Sequence, residues 1–246
     1  MDRMLYIATN GAGQAMRAQT EIAHNLANAS TVGFKANLDM FGSLALKGDG
    51  FDSRVYNQYR QSGVDFSPGS LMTTGRELDV AVKGEGWIAV LANDGTEAYT
   101  RAGDLRVDAN GLLTTGTGLP VLGNGGPIAI PPFQKLDIAS DGSISVIPVG
   151  QTADTVALVD RIKLVKPDPA QLTKGEDGLI RLEQAGEAVP DAAVTLVSGV
   201  LEGSNVNAVS QLVELIENAR NYEAHVKMMR TAKETDESSA QLLRMG

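Results

Sequence analysis

The 246-residue chain has no cysteine, two histidines and only 4% aromatic residues. Without cysteine there are no disulfides, no thiolate nucleophile and no cysteine-ligated metal. His24 and His225 fall inside stretches that read as terminal helices. Neither has further ligands or a nucleophile beside it in sequence, so neither is expected to bind metal or to catalyse. Long hydrophobic runs are missing too: the longest, Trp87 to Ala92, has six residues where a membrane span needs about 20. Met1-Asp2-Arg3-Met4-Leu5-Tyr6-Ile7 passes into Thr9-Asn10-Gly11 before an apolar core accumulates, so neither a cleaved signal peptide nor membrane insertion is expected.

Basic charge is also scarce. Lys and Arg number 21 against 30 Asp and Glu, a net charge of −9, and no cluster of them offers phosphate a concentrated patch, so nucleic acid is not an expected partner. In Arg161-Ile162-Lys163-Leu164-Val165-Lys166 the charges alternate with apolar residues, as in a half-buried strand. Asp137, Asp141, Glu176 and Asp177 form no acid–base pair in sequence and read as turn residues. Gly84-Glu85-Gly86-Trp87-Ile88-Ala89 fits G-x-G-x-x-A, but it leads into a strand where a dinucleotide loop opens a helix, and reads as a glycine-rich hairpin. No catalytic residue, cofactor, metal or small-molecule substrate is predicted.

The chain does have periodicity at both ends. Over residues 2–28, Leu5, Ala8, Ala12, Ala15, Ile22 and Leu26 step by threes and fours, with Gln19 the polar member, which marks one face of a helix. An alanine seam lets a partner backbone approach closely but buries little area, so such a helix is not expected to stand alone. At the other end Leu212, Leu215, Ala219, Tyr222, Val226 and Met229 repeat the period, followed by Ala240 and Leu243. Lys233 and Asp236 interrupt that second stripe, where buried charges are costly unless paired. Asn25 and Asn28 flank the end of the first helix and Gly33 permits a sharp exit, with Phe34 as its anchor; Asn205 or Asn207 is placed to cap the second helix.

Between the helices the pattern changes twice. Residues 36–74 hold isolated apolar residues without period and read as a mostly extended connector. From Gly75 to about Val197 short alternating runs are separated by Asn93-Asp94-Gly95, Asn110-Gly111, Asn124-Gly125-Gly126 and Asp141-Gly142. These pairs favour the positive φ of tight hairpins and predict an antiparallel β domain.

Three stretches carry a resemblance. Asn25-Leu26-Ala27-Asn28-Ala29-Ser30-Thr31-Val32-Gly33-Phe34-Lys35 is similar to the N-terminal signature of the bacterial flagellar rod, hook and hook-associated axial proteins. Thr74 to Trp87 with Ala98-Tyr99-Thr100-Arg101-Ala102-Gly103, and Ser198 to Asn207 with Ile216, Arg220, Tyr222 and Glu223, resemble rod and hook members, which more often carry Phe where Trp87 stands.

The expected fold is α+β. Long terminal helices (residues 1–35 and 201–246) pair as a coiled-coil-like module, with an extended connector (36–74) and a β-rich antiparallel domain (75–200) inserted between them. The resemblance implies a non-enzymatic flagellar basal-body rod component, most similar to proximal-rod members. It would be exported without a cleaved signal, span the periplasm, and assemble with other rod subunits and copies of itself into a helical tube that transmits torque. Its expected assembly surface comprises Leu5, Ala8, Ala12, Ala15, Ile22, Asn25, Leu26, Asn28 and Phe34, then Asn205, Asn207, Leu212, Leu215, Ala219, Tyr222, Val226, Met229 and Leu243. The same reading expects the terminal helices to be poorly covered in a monomer. The competing readings are a distal-rod or hook-type member, and, from another class, a hydrolase or carbohydrate-binding β domain with helical dimerisation arms, which requires a convergent polar pocket.

Overall fold

A computed structural model describes residues 2–45, 55–151, 155–184 and 186–245, and, of these, the side chains of all but 2, 3, 39–45, 55–62, 242, 243 and 245. Helix α1 spans Asp2–Ala27 and is followed by strands β1 (Asn37–Ala45), β2 (Val55–Val64) and β3 (Leu71–Thr73). Next come β4 (Val80–Lys83), β5 (Trp87–Leu91), β6 (Glu97–Thr100), β7 (Arg106–Val107) and β8 (Leu113–Thr114). The later strands are β9 (Phe133–Ile138), β10 (Ser143–Pro148), β11 (Ala157–Arg161), β12 (Leu164–Val165), β13 (Leu172–Lys174), β14 (Ile180–Leu182), β15 (Thr195–Ser198) and β16 (Val200–Glu202). Helix α2 (Ala208–Met245) closes the order. The α+β class and both terminal helices are as expected. The stretch 36–74 is more regular than a connector, since it holds β1, β2 and β3.

Two compact units divide the chain. Of the described residues, the first comprises 2–29, 37–45, 55–63 and 206–245: the two helices with β1 and all but the last residue of β2. The second comprises 30–36 and 64–205 and contains the remaining sheets.

In the second unit one sheet has the order β12-β5-β6-β14-β13 and another β11-β10-β9, with β15 paired to β4, β16 to β3 and β7 to β8. All of these pairings are antiparallel. The turn chemistry explains the registers. Gly95 (φ 79°) and Gly142 (φ 86°) supply the left-handed conformation between β5 and β6 and between β9 and β10. Asp94 and Asp141 brace those turns by accepting from the Thr96 and Ser143 backbone N–H groups. Strand β10 alternates, with Ile144 and Val146 buried and Ser143 and Ser145 half-buried, as expected of a sheet with one face on the core. Strand β5 is a continuous apolar run because both faces are covered: Ile88 and Val90 join one core cluster, Trp87 and Ala89 another.

The Gly84–Gly86 loop does not make a hairpin. It joins β4, paired with β15, to β5, paired with β6 and β12, so the chain changes sheet there. The loop's glycines at φ 79° and 139° allow that change of direction.

Candidate functional site

In the first unit, α1 and α2 pack side by side, and the contacts follow from residue size. Ala8, Ala12 and Ala15 of α1 are buried, which brings the α1 backbone close enough for Asn218 Nδ2 to donate to the Ala15 carbonyl at 2.6 Å. Thr9 Oγ1 lies 3.4 Å from the Met229 sulfur. Gly11 leaves room for the His225 imidazole, whose ring would collide with any Cβ there. The seam on α2 therefore differs from the apolar stripe. Leu215, Asn218, Ala219, Tyr222, His225, Val226 and Met229 are half-buried and Ala232 is buried. Leu212 is exposed, and so are Lys233 and Asp236. No charge is buried at that interruption: Ala232 takes the seam position, while Lys233 points out to Glu237 at 3.7 Å. Asn218 and His225 were missed because polarity argued against a seam position. Their signals were the alanine and glycine opposite, which admit a polar side chain to a backbone carbonyl or to a notch.

On α1, Ile22 and Leu26 are half-buried and Leu5 is exposed. Asn25 is buried because it mimics a β-strand edge: its Oδ1 accepts from the Asn37 N–H at 2.9 Å and its Nδ2 donates to the Asn37 carbonyl at 2.9 Å. Asn28 Nδ2 donates to the His24 carbonyl at 2.9 Å, closing the helix end as expected of an asparagine there. At the start of α2 the cap is Asn207, whose Oδ1 accepts from Val209 N and Ser210 N. The side chain of Leu243 lies outside the described residues.

Large apolar side chains remain exposed on both helices. In the first turns of α2, Val209, Leu212, Val213 and Ile216 are 71%, 47%, 51% and 56% accessible, at the i, i+3, i+4, i+7 spacing of a single stripe. Met4, Tyr6, Ile7 and Met16 are exposed on α1. Leu5, Val226 and Met229, with Arg230, Lys233, Asp236 and Glu237, line an open groove in the same unit.

In the second unit the three signature stretches meet at one buried ion cluster. Glu202 Oε1 accepts from Lys35 Nζ at 2.7 Å and from the Gly69 N–H at 3.0 Å, and Glu202 Oε2 accepts from Arg101 at 2.8 Å. Lys35, Arg101 and Glu202 are 2%, 5% and 1% accessible. Further donors are used on backbone: Lys35 Nζ reaches the Ser67 carbonyl at 2.7 Å, and Arg101 reaches the Gly84 carbonyl at 2.7 Å while its guanidinium lies 5.2 Å from the centre of the Trp87 ring; Arg101 Nε is buried without a hydrogen-bond partner among the described residues. Burial pushes the Glu202 carboxyl up, yet the Lys35 and Gly69 hydrogen bonds and the two cations outweigh it and hold the group below its ordinary range. Burial dominates at Lys35 and lowers its pKa, with Glu202 opposing.

The chain around this cluster is held by further fixed contacts. Gly33 (φ 67°) turns so tightly against the Arg101–Ala102 backbone that a Cβ would overlap it. Phe34 is buried under the Lys174 ammonium, 3.9 Å from its ring centre. Asn205, half-buried, is no helix cap: its Oδ1 accepts from the Ala36 N–H at 2.8 Å and its Nδ2 donates to the Asp65 carbonyl at 2.8 Å. Phe34 and Asn205 are thus engaged within this unit. Sequence reading did not find the ion cluster, because its members are separated by up to 167 positions.

Several of the other polar residues singled out are held by neighbours. Ile162, Leu164 and Val165 are buried between paired cations, Lys163 with Glu97 at 2.6 Å and Glu187 at 3.6 Å, and Lys166 with Glu85 at 2.9 Å. Asp177 accepts from Leu179 N and pairs with Arg181. Among the described residues no group of three or more His, Cys, Asp and Glu side chains is placed to hold a metal ion, and no helix is long and apolar enough to cross a membrane.

Comparison with known proteins fits this arrangement of terminal helices and β unit. Residues 197–242 match the family described as flagellar basal body rod FlgEFG protein C-terminal, and residues 81–146 the flagellar hook protein FlgE/F/G D1 domain. The flagellar basal-body rod proteins FlgF of Escherichia coli (strain K12) and of Salmonella typhimurium are each 40% identical over 251 residues, covering 100% of both chains. The flagellar basal-body rod protein FlgG of Bacillus subtilis is 32% identical over 258 residues, covering 95% of this chain and 96% of its own. The chain therefore belongs to the flagellar basal-body rod proteins, a family of structural components. Within that family it is FlgF-like, matching such proteins from end to end.

Proposed function

We propose that this chain is a subunit of the proximal part of the flagellar rod, where it packs through its terminal helices against other rod subunits and further copies of itself. The assembly is a helical tube across the periplasm that carries torque from motor to hook. The exposed apolar stripe Val209, Leu212, Val213 and Ile216 is the observation that carries the reading. A stripe of that kind on a helix whose seam is already occupied by α1 calls for a second protein surface. Contacts that use different faces on neighbouring copies build open helical assemblies where the rotation between copies does not close a ring. Delivery through the flagellar export apparatus accords with a chain free of cysteine. The helix pair is read as coiled-coil-like on the spacing of Leu215, Asn218, Tyr222, His225, Met229 and Ala232.

Exchange of Leu212 and Ile216 for aspartate tests the assembly. Both side chains are exposed, so helicity and Trp87 fluorescence of the isolated chain should stay unchanged while incorporation into purified basal bodies and swimming are lost. Normal basal bodies from that double variant would sink the proposal. The distal-rod reading rests on the FlgG match; tagged protein found along the distal rod or hook instead of the proximal rod decides for it. The reading as a β-domain hydrolase or carbohydrate-binding protein loses ground because the buried Lys35, Arg101 and Glu202 spend their polar contacts on one another and on backbone.

A further inference from the structure

Asparagine is followed by glycine three times, at Asn10-Gly11, Asn110-Gly111 and Asn124-Gly125. The three pairs share one possible reaction. The glycine backbone nitrogen attacks the asparagine side-chain carbonyl carbon, a new C–N bond closes a five-membered imide, and the bond to the side-chain nitrogen breaks. Ammonia leaves with the proton that the backbone nitrogen sheds. Water then opens the imide at either carbonyl, giving aspartate or isoaspartate, and no oxidant or reductant takes part. A following glycine favours closure because it has no Cβ to hinder the approach. Two freedoms are required: the glycine N–H must be able to lose its proton, and the asparagine side chain must be able to turn onto it.

The surroundings grant these freedoms unequally. Gly11 lies inside α1, where its N–H is taken by the helix ladder, and Gln14 Nε2 lies 3.5 Å from Asn10 Oδ1. Gly111 N donates to the Asp108 carbonyl at 3.1 Å, and Asn110 Nδ2 donates to Asp108 Oδ2 at 3.3 Å. The Leu112 and Asn110 N–H groups hold the Asp108 carboxyl below its ordinary range, so it is anionic and opposes a second negative charge forming on the neighbouring nitrogen. Asn124 and Gly125 are both exposed, and a Cβ at Gly125 would meet nothing within 4 Å. Among the described residues neither the Gly125 N–H nor the Asn124 amide has a hydrogen-bond partner; the loop is closed beneath them by Gly123 N donating to the Gly126 carbonyl at 2.8 Å. Asn124 also borders a cleft of ≈ 100 Å³ that it shares with Arg161, Lys163 and Asp191.

We propose that Asn124 is a site of spontaneous deamidation, converted to aspartate and isoaspartate in the folded chain ahead of Asn110 and Asn10. The aspartate product adds a negative charge at the rim of a cleft lined by Arg161 and Lys163 as well as Asp191. The isoaspartate product lengthens the backbone by one methylene between Leu122 and Pro127, which are bridged across the loop.

The test is incubation of the full chain in mildly alkaline buffer, followed by digestion, weighing of the peptides for the exchange of NH₂ by OH, and labelling with an isoaspartate-specific methyltransferase. The Asn124 peptide should convert about tenfold faster than those of Asn110 and Asn10, the order of magnitude that one protecting hydrogen bond supplies. In urea the three rates should converge, because the bonds at Asp108 and in α1 are gone. The proposal is overturned if Asn110 or Asn10 keeps pace with Asn124 in the folded chain, or if the lead of Asn124 persists in urea. Asn124→Gln, one methylene too long for the five-membered ring, should abolish conversion at that position.

Discussion

Lys35 and Glu202, 167 positions apart, meet at 2.7 Å with almost no access to solvent, and Arg101 completes the cluster from the other carboxylate oxygen. Two buried cations share one anion, so the three side chains are not equivalent. Glu202→Gln keeps the shape but leaves both cations uncompensated, and should destabilise by about 3–5 kcal/mol. Lys35→Met leaves a balanced Arg101–Glu202 pair and should cost less, about 1–3 kcal/mol for the lost charged hydrogen bond. Urea unfolding followed through Trp87, the one tryptophan and a neighbour of Arg101, measures both. Equal losses in the two variants would contradict the two-to-one charge count.

The same cluster sets an acid limit. The Glu202 pKa is lower folded than unfolded, so the unfolded chain binds more protons through the window between the two values. The stability this group contributes is complete above its ordinary value and is lost as pH falls through the folded one. The urea midpoint should therefore drop in acid, and the drop should be shallower in Glu202→Gln. Lys35, also lowered, has the same sign in alkali: between its folded value and 10.5 the unfolded chain binds more protons, and this group's contribution rises with pH.

Gly33 and Gly75 have nearly the same backbone, φ 67° and 73°, but different surroundings. An alanine Cβ at 33 would overlap the Arg101–Ala102 backbone, whereas at 75 it would meet open space. Gly75→Ala should cost only the left-handed penalty, about 1–2 kcal/mol, and Gly33→Ala distinctly more. Matching melting temperatures for the two would refute the close approach.

At the helix pair, Gly11→Ala forces the His225 ring aside and should cost about 1–3 kcal/mol, as overpacking does. Because the clash is with a single side chain, His225→Ala should recover part of that loss. A double-mutant cycle on the thermal melt of helicity reads the coupling, and strict additivity would mean that the two residues do not touch.

Local chemistry made most of the fold legible. Asp94-Gly95 and Asp141-Gly142 marked their hairpins because few dipeptides adopt those turns, and the alternation of Ile144 and Val146 placed β10 with its inner face. The seam of α1 was also legible, since alanine at 8, 12 and 15 has one obvious use. The seam of α2 was legible in part: Leu215, Ala219, Tyr222, Val226 and Met229 are covered, but Leu212 in the same stripe stays exposed, while Asn218 and His225 gain their places from a carbonyl and a missing side chain on the other helix. Apolar periodicity reports where water is avoided, and two surfaces of α2 avoid it. The ion cluster lay beyond reach for another reason. Lys35, Arg101 and Glu202 each stand in a local context that predicts a solvated charge, and only the tertiary pairing shows otherwise.

That pairing also bears on how such chains diverge. Three recognisable stretches, far apart in sequence, each contribute one member to a single electrostatic unit, so a descendant cannot replace Glu202 by a neutral residue and keep both Lys35 and Arg101 without losing stability. Changes at the three positions are expected to be inherited together, with substitution of the acid preceded or joined by loss of a cation.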